Sequence, residues 1–260
     1  MKRPGFTLIE LLAVIAVLAL LVALLIAALH LSRQRAKTAL CASRIKQVTF
    51  ALLMYDADHQ TFPHGFVDSF TPPPGGYLGS PAYDRVGWWW FHFLKGYSDT
   101  KGPLLCCPSK SLSHPSLKDN VLYGNYGVNR SVFKSPGAVQ QQRREFVGSP
   151  LSSGDVTGGT LLIVDNGYSI TSWWHAADVP PSPLDSGRGE DTAYVPGLEI
   201  NKSKSLLAGQ EHDAVDGRHP NKTINVGFGD NHVGTLKAHD LFVEETADGY
   251  MNKIPLWSPK

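Results

Sequence analysis

Three cysteines, ten histidines and an acidic run near the C-terminus hold most of this chain's capacity for metal or acid–base chemistry. The densest polar cluster is Glu211-His212-Asp213-Ala214-Val215-Asp216-Gly217-Arg218-His219, followed by Asp230-Asn231-His232 and His239-Asp240. Oxygen ligands from Asp213, Asp216 and Asp230, with His219 beside them, suit calcium, whereas the histidines suit zinc. No EF-hand or H-E-x-x-H spacing organises such a site. The competing reading is structural: Asp230 and Asn231 cap a hairpin, His219 bonds backbone across it, and the acids are solvated. Beyond a calcium ion at these residues, no cofactor is expected.

The cysteines are Cys41, Cys106 and Cys107. Adjacent cysteines rarely bridge each other because the geometry is strained, so the available disulfide joins Cys41 to Cys106 or Cys107, with Cys41–Cys107 the pair carried forward. The alternative is three buried free thiols. The cysteine spacing lacks the paired C-x-x-C knuckles of a zinc site, so a metal centre built from these residues is not expected.

Hydrolytic chemistry finds no support. There is no G-x-S-x-G elbow, Ser152-Ser153-Gly154-Asp155 has no base at a defined spacing, and Gly-rich phosphate loops are absent. Trp88-Trp89-Trp90 and Trp173-Trp174-His175 read either as a sugar-stacking platform or as core packing, for which such rings carry the largest apolar area. A formal net charge of +1 with 18% charged residues gives no electrostatic footprint for nucleic acid. The expectation is a protein without enzymatic activity.

The elements around these residues begin with one long helix. Leu11 to Leu29 is uncharged and apolar, with Glu10 at its mouth. Phe6 to Leu29 as a helix is roughly 36 Å long, enough to cross a hydrocarbon core of about 30 Å with some tilt. Gln34, Thr38, Cys41, Ile45, Val48, Leu52 and Tyr55 then follow steps of four and three along one face, and Phe62-Pro63 marks the exit. The spacing predicts a single helix of about fifty residues, its second half packed on the domain that follows. Pro72-Pro73-Pro74-Gly75-Gly76 and Val179-Pro180-Pro181-Ser182-Pro183 are loops, and Trp88 to Leu94 is a short buried helix or strand. Thr160 to Asp165 reads as a buried strand with Asn166-Gly167 as its turn. Ile224, Val226 and Phe228 alternate inward, Gly229-Asp230-Asn231 turns, and His232 to Leu236 returns as a hairpin. The class is α+β: one long helix laid on an antiparallel sheet.

Order of parts separates this N-terminus from a secretory signal peptide, because the small residue, Gly5, comes before the apolar run and the far end offers a poor cleavage site. The segment Gly5-Phe6-Thr7-Leu8-Ile9-Glu10 resembles, residue for residue, the start of type IV prepilins and pseudopilins. The resemblance implies a pilin-like fold and a leader of residues 1–5 cut by prepilin peptidase between Gly5 and Phe6, with methylation of the new amino group. Residues 6–30 would be the transmembrane helix, 31–60 its amphipathic continuation and 61–260 a globular domain.

It also implies that Glu10 pairs with the terminal ammonium of an adjoining subunit, a partner that a carboxylate in apolar surroundings needs. Positive-inside counting does not settle orientation, since Lys2 and Arg3 face Arg33, Arg35 and Lys37 across the span. The family implies a single pass through the inner membrane, with the N-terminus cytoplasmic and the domain periplasmic or at the cell surface.

A second resemblance covers nearly the whole chain. Cys41-Ala42-Ser43-Arg44-Ile45-Lys46-Gln47, Phe62-Pro63, Trp88 to Trp90, Cys107-Pro108-Ser109, Tyr126-Gly127-Val128-Asn129, Asp165, and His219 with Asp230-Asn231 look like the prepilin-like proteins abundant in planctomycetes. Those proteins place Asp-Gly nine residues after the His. Here the gap is ten, and Asn231 stands where Gly is usual, which a left-handed turn tolerates. The implied function is a structural subunit of a type II secretion or pilus-like machine, assembling with its own or other pilin-like chains without nucleic acid. The alternative from another class is an anchored carbohydrate-binding protein using the tryptophans.

Overall fold

A computed structural model describes residues 7–69, 71–73, 87–98, 103–137, 145–177 and 193–259. Helix α1 runs from Leu8 to His59 without interruption, as the absence of Pro and Gly predicts. It stops where Gln60 turns left-handed (φ 59°) and its N–H closes on Asp56 O at 2.7 Å. Its two halves differ in surroundings. Positions 7 to 37 are exposed, whereas Cys41, Ile45, Val48, Thr49, Ala51, Leu52 and Asp56 are buried. The expected face is therefore real for Cys41, Ile45, Val48 and Leu52, while Gln34 lies outside the packed region.

The domain follows in order as β1 (Phe66–Asp68), β2 (Gly87–Trp89), α2 (Trp90–Phe93), α3 (Pro115–Lys118), β3 (Tyr126–Asn129), β4 (Leu161–Asp165), β5 (Ile170–Thr171), α4 (Glu211–Asp216), β6 (Thr223–Phe228), β7 (Val233–Lys237), β8 (Glu245–Thr246) and β9 (Gly249–Tyr250). The main sheet has five strands in the order β5-β3-β4-β6-β7. All its pairings are antiparallel except β3 with β5, so the expected antiparallel sheet is mixed at that edge. The architecture is α+β, with α1 laid across β4, β6 and β7.

The sheet is covered on both faces, which explains why β4 is buried at every position rather than alternating. Ile45, Val48 and Leu52 of α1 pack with Leu162, Ile163, Phe62, Phe66, Trp89 and Trp90 on one side. Leu161, Val164, Ile224, Val226 and Phe228 pack with Leu241, Val243 and Trp257 on the other. Full burial of each such side chain contributes roughly 1.5–3 kcal/mol. A register shift between Leu161 and Ile163 breaks the alternation of β4, so that consecutive Leu162 and Ile163 both enter the core under α1 while Leu161 and Val164 enter the other. In β6, Ile224, Val226 and Phe228 do point inward, but toward the core remote from α1. The β6–β7 hairpin turns through Asn231 at φ 68°, the left-handed geometry its Asn was expected to supply.

Candidate functional site

At its start, α1 is closed by a reciprocal cap. The Thr7 N–H donates to Glu10 Oε2 at 2.9 Å, the Thr7 hydroxyl donates to the same oxygen at 2.8 Å, and the Glu10 N–H returns to Thr7 Oγ1 at 3.3 Å. This is the T-x-x-E capping box, readable in Thr7-Leu8-Ile9-Glu10 but missed when Glu10 is considered only as a carboxylate awaiting a cation. Beyond it the apolar surface is bare: Leu8 is 82% and Ile9 74% exposed, and the most hydrophobic stretch has no buried residue. By length and composition the helix can cross a membrane. Gly5 and Phe6 lie outside the described residues.

The second constellation sits where the other half of α1 meets the sheet. Cys41 projects from α1, Cys107 from the loop after the turn Pro103–Leu105, Asp165 from the end of β4, and His219 from the segment between α4 and β6. Their ligand atoms all lie within 4.8 Å of one another, and all four residues are buried. Cys41 Sγ donates to Asp165 Oδ1 at 3.2 Å and sits 3.8 Å from Cys107 Sγ. His219 Nε2 is 3.1 Å from Asp165 Oδ2 and 3.8 Å from Cys107 Sγ.

An outer ring of polar groups orients these side chains. His219 Nδ1 meets Thr38 Oγ1 at 3.1 Å, and that hydroxyl donates to Gln34 O at 3.1 Å. The Asn225 N–H donates to Asp165 Oδ2 at 2.8 Å. The Cys107 N–H donates to Asn125 Oδ1 at 3.0 Å. Arg218 Nη1 approaches Asp165 Oδ1 at 4.0 Å.

Electrostatics follow from burial set against these contacts. Burial pushes the Cys41 thiol well up. Burial also opposes a Cys107 thiolate, but the contacts with Cys41 and His219 outweigh it and bring that thiol down to about 6. For His219, burial disfavours the cation, and Asp165 with Cys107 overcomes it, raising the imidazole to about 9. Asp165 itself is held below the ordinary carboxylate range: its burial is outweighed by His219, Arg218 and the Asn225 N–H. A Cys-His-Asp relay does not result, because a single ring nitrogen, Nε2, faces both the thiol and the carboxylate, and the His219 and Asp165 side chains have no solvent exposure. Two sulfurs, an imidazole and a carboxylate converging from four elements are instead a donor set for a divalent transition metal.

A family model described as a prokaryotic N-terminal methylation motif matches residues 1–26. The chain is type IV pilin-like. The match ends inside α1 and leaves the globular domain uncovered. No curated protein and no solved structure matches the chain.

In this pilin-like chain the other expected site residues fall apart. Asp213 is buried and held by Arg218, Ser111 and Tyr194. Asp216 is exposed and pairs with His212 at 2.7 Å. Asp230 sits at the hairpin turn and pairs with His232. His219 faces Asp165 instead, so the calcium set of Asp213, Asp216, His219 and Asp230 is not assembled. Arg218 takes the buried carboxylate of Asp213, and the remaining acids are drawn to local partners.

The expected Cys41–Cys107 bridge is also absent, since 3.8 Å is nearly twice a covalent sulfur–sulfur length of about 2.05 Å and both thiols are free. Cys107 lies beside Cys41, whereas Cys106 is exposed. Cys41 and Cys107 stand within reach of Asp165 and His219, an arrangement that spacing along the chain does not reveal. The tryptophans form no platform: Trp89, Trp90 and Trp173 are buried, the half-buried Trp88 donates its Nε1–H to Thr71 O at 2.8 Å, and Lys253 lies over the Trp173 ring.

Proposed function

We propose that this chain is a structural subunit of a type II secretion or type IV pilus-like assembly, matured by prepilin peptidase between Gly5 and Phe6. The observation that carries the reading is the pairing of a methylation motif with a helix whose apolar half is bare and whose other half is locked into a domain. Such a surface needs lipid before assembly and sibling helices after it. Glu10, the one acid in that bare half, would then exchange or share its cap with the amino group of an adjoining subunit, fixing axial register. The N-terminus would be cytoplasmic and the domain periplasmic or at the cell surface, anchored in the inner membrane. Homo- and hetero-assembly with other pilin-like chains both suit this geometry.

Mass spectrometry of the native N-terminus tests the reading. Methylated Phe6 as the first residue is the expected result. An intact Met1, or a cut near Ala28 that discards the apolar half, would overturn it.

A further inference from the structure

We propose that Cys41, Cys107, Asp165 and His219 bind one zinc ion as a closed, structural four-ligand site. The argument is geometric. A tetrahedral zinc with sulfur at about 2.3 Å and nitrogen or oxygen at about 2.0 Å sets sulfur–sulfur edges near 3.8 Å, sulfur–nitrogen edges near 3.5 Å and nitrogen–oxygen edges near 3.3 Å. The corresponding separations here are 3.8 Å between Cys41 and Cys107, 3.8 Å between Cys107 and His219, and 3.1 Å between His219 and Asp165. Cys41 Sγ lies 3.2 Å from the other Asp165 oxygen, Oδ1, and the four ligand atoms all fall within 4.8 Å of one another. Four potential ligand atoms from separate stretches of the chain thus converge at separations close to those of a tetrahedral zinc site.

Donor chemistry selects the ion. Two sulfurs and an imidazole favour zinc over calcium or magnesium, which take oxygen ligands. The outer ring is already suited to the task. With Nε2 on the metal, His219 Nδ1–H donates to Thr38 Oγ1, and Asp165 keeps its bond from the Asn225 N–H. Two thiolates and a carboxylate on a dication leave one negative charge, which the Arg218 guanidinium, shared with Asp213, faces at 4.0 Å from Asp165. Binding expels the thiol protons of Cys41 and Cys107 and any proton on His219 Nε2 to solvent, with no change in redox state.

The site would join α1 to β4 and to the segments before α3 and β6, pinning the assembly helix to its domain at the point where that helix leaves the exposed region. It goes beyond the proposed function and does not depend on it, because any exported or assembled state of the chain holds the same four residues.

The test is metal analysis of the full-length chain purified in detergent, without added metal and again after equilibration with zinc. One zinc per chain is expected, with loss of the metal in Cys107→Ser and retention in Cys106→Ser, whose cysteine lies outside the cluster. Cobalt in place of zinc should give the visible bands and sulfur charge-transfer band of a tetrahedral thiolate site. Should Cys107→Ser fail to fold, the wild-type chain decides the matter: chelation must lower its melting midpoint and zinc must restore it. A chain that takes up no zinc, or one lighter by two hydrogens from a Cys41–Cys107 disulfide with no metal, would overturn the proposal.

Discussion

Thr49 of α1 and Gly227 of β6 mark a close approach of helix and sheet: a Cβ on Gly227 would stand 2.1 Å from Thr49 Oγ1. Thr49 cannot easily yield, since its hydroxyl donates to Ile45 O at 2.8 Å, and Ile163 and Ile45 crowd the same point at 2.9 and 3.1 Å. Gly227→Ala should therefore destabilise the chain by about 1–3 kcal/mol through overpacking. Thr49→Ala in the same chain should recover part of that loss, and the two isoleucines should prevent full recovery. Unfolding of the two single variants and the double variant in detergent measures the coupling; additive losses would show that the contact is not the source.

Arg218 is buried, and its guanidinium is saturated. Nε donates to Asp213 Oδ1 at 3.1 Å, Nη1 to Gly124 O and Asn125 O at 2.9 Å each, and Nη2 to Asn166 O at 3.1 Å and to Asp213 Oδ2. Removing it strands Asp213, whose remaining partners are the neutral hydroxyls of Ser111 and Tyr194. Arg218→Met should cost about 3–5 kcal/mol. Arg218→Lys should restore only a minor part, because one ammonium cannot span carbonyls and carboxylate in the fixed fork of a guanidinium. Denaturant midpoints of the two variants check both statements.

His92 should make stability fall as the medium turns acid. Burial disfavours its charged form and lowers it from 6.5 to about 4, and Nδ1 accepts the Trp89 N–H at 2.9 Å, a bond that protonation there would break. Between these two values the unfolded chain binds a proton that the folded chain refuses. Stability is thus unaffected above pH 6.5 and declines toward pH 4, where the loss reaches on the order of 3 kcal/mol. His92→Asn, which keeps an acceptor without a titrating ring, should flatten this part of the profile. Melting curves between pH 7 and 4.5 compare the slopes.

What was legible in the sequence depended on range along the chain. Cys41, Ile45, Val48 and Leu52 announce a packed helix face because their spacing is local, and the β6–β7 hairpin is visible because alternation and turn residues lie within fifteen positions. The parallel edge strand β5 has two residues and no pattern to read. Proximity in sequence groups His219 with Asp230, whereas the sheet brings it to Asp165 at the end of β4. Asp165 follows four apolar residues of a central strand, and nothing local shows that its carboxylate turns toward α1. The donor set at positions 41, 107, 165 and 219 exists only once the strand order is known.

The observed cap of Glu10 and its proposed role in assembly can be divided by substitution. Its carboxylate completes the cap with Thr7, and its charge is the part a neighbouring amino group would require. Glutamine also serves at the third helical position of a capping box, so Glu10→Gln should keep the start of α1 and membrane insertion while abolishing assembly. Thr7→Ala should do the reverse: the first turn frays, yet the negative charge remains and subunits still associate. Crosslinking of subunits in membranes, with insertion followed by carbonate extraction, reads the two effects apart. Wild-type oligomer yield from Glu10→Gln would mean that the charge is not used between subunits, leaving the carboxylate as a helix cap alone.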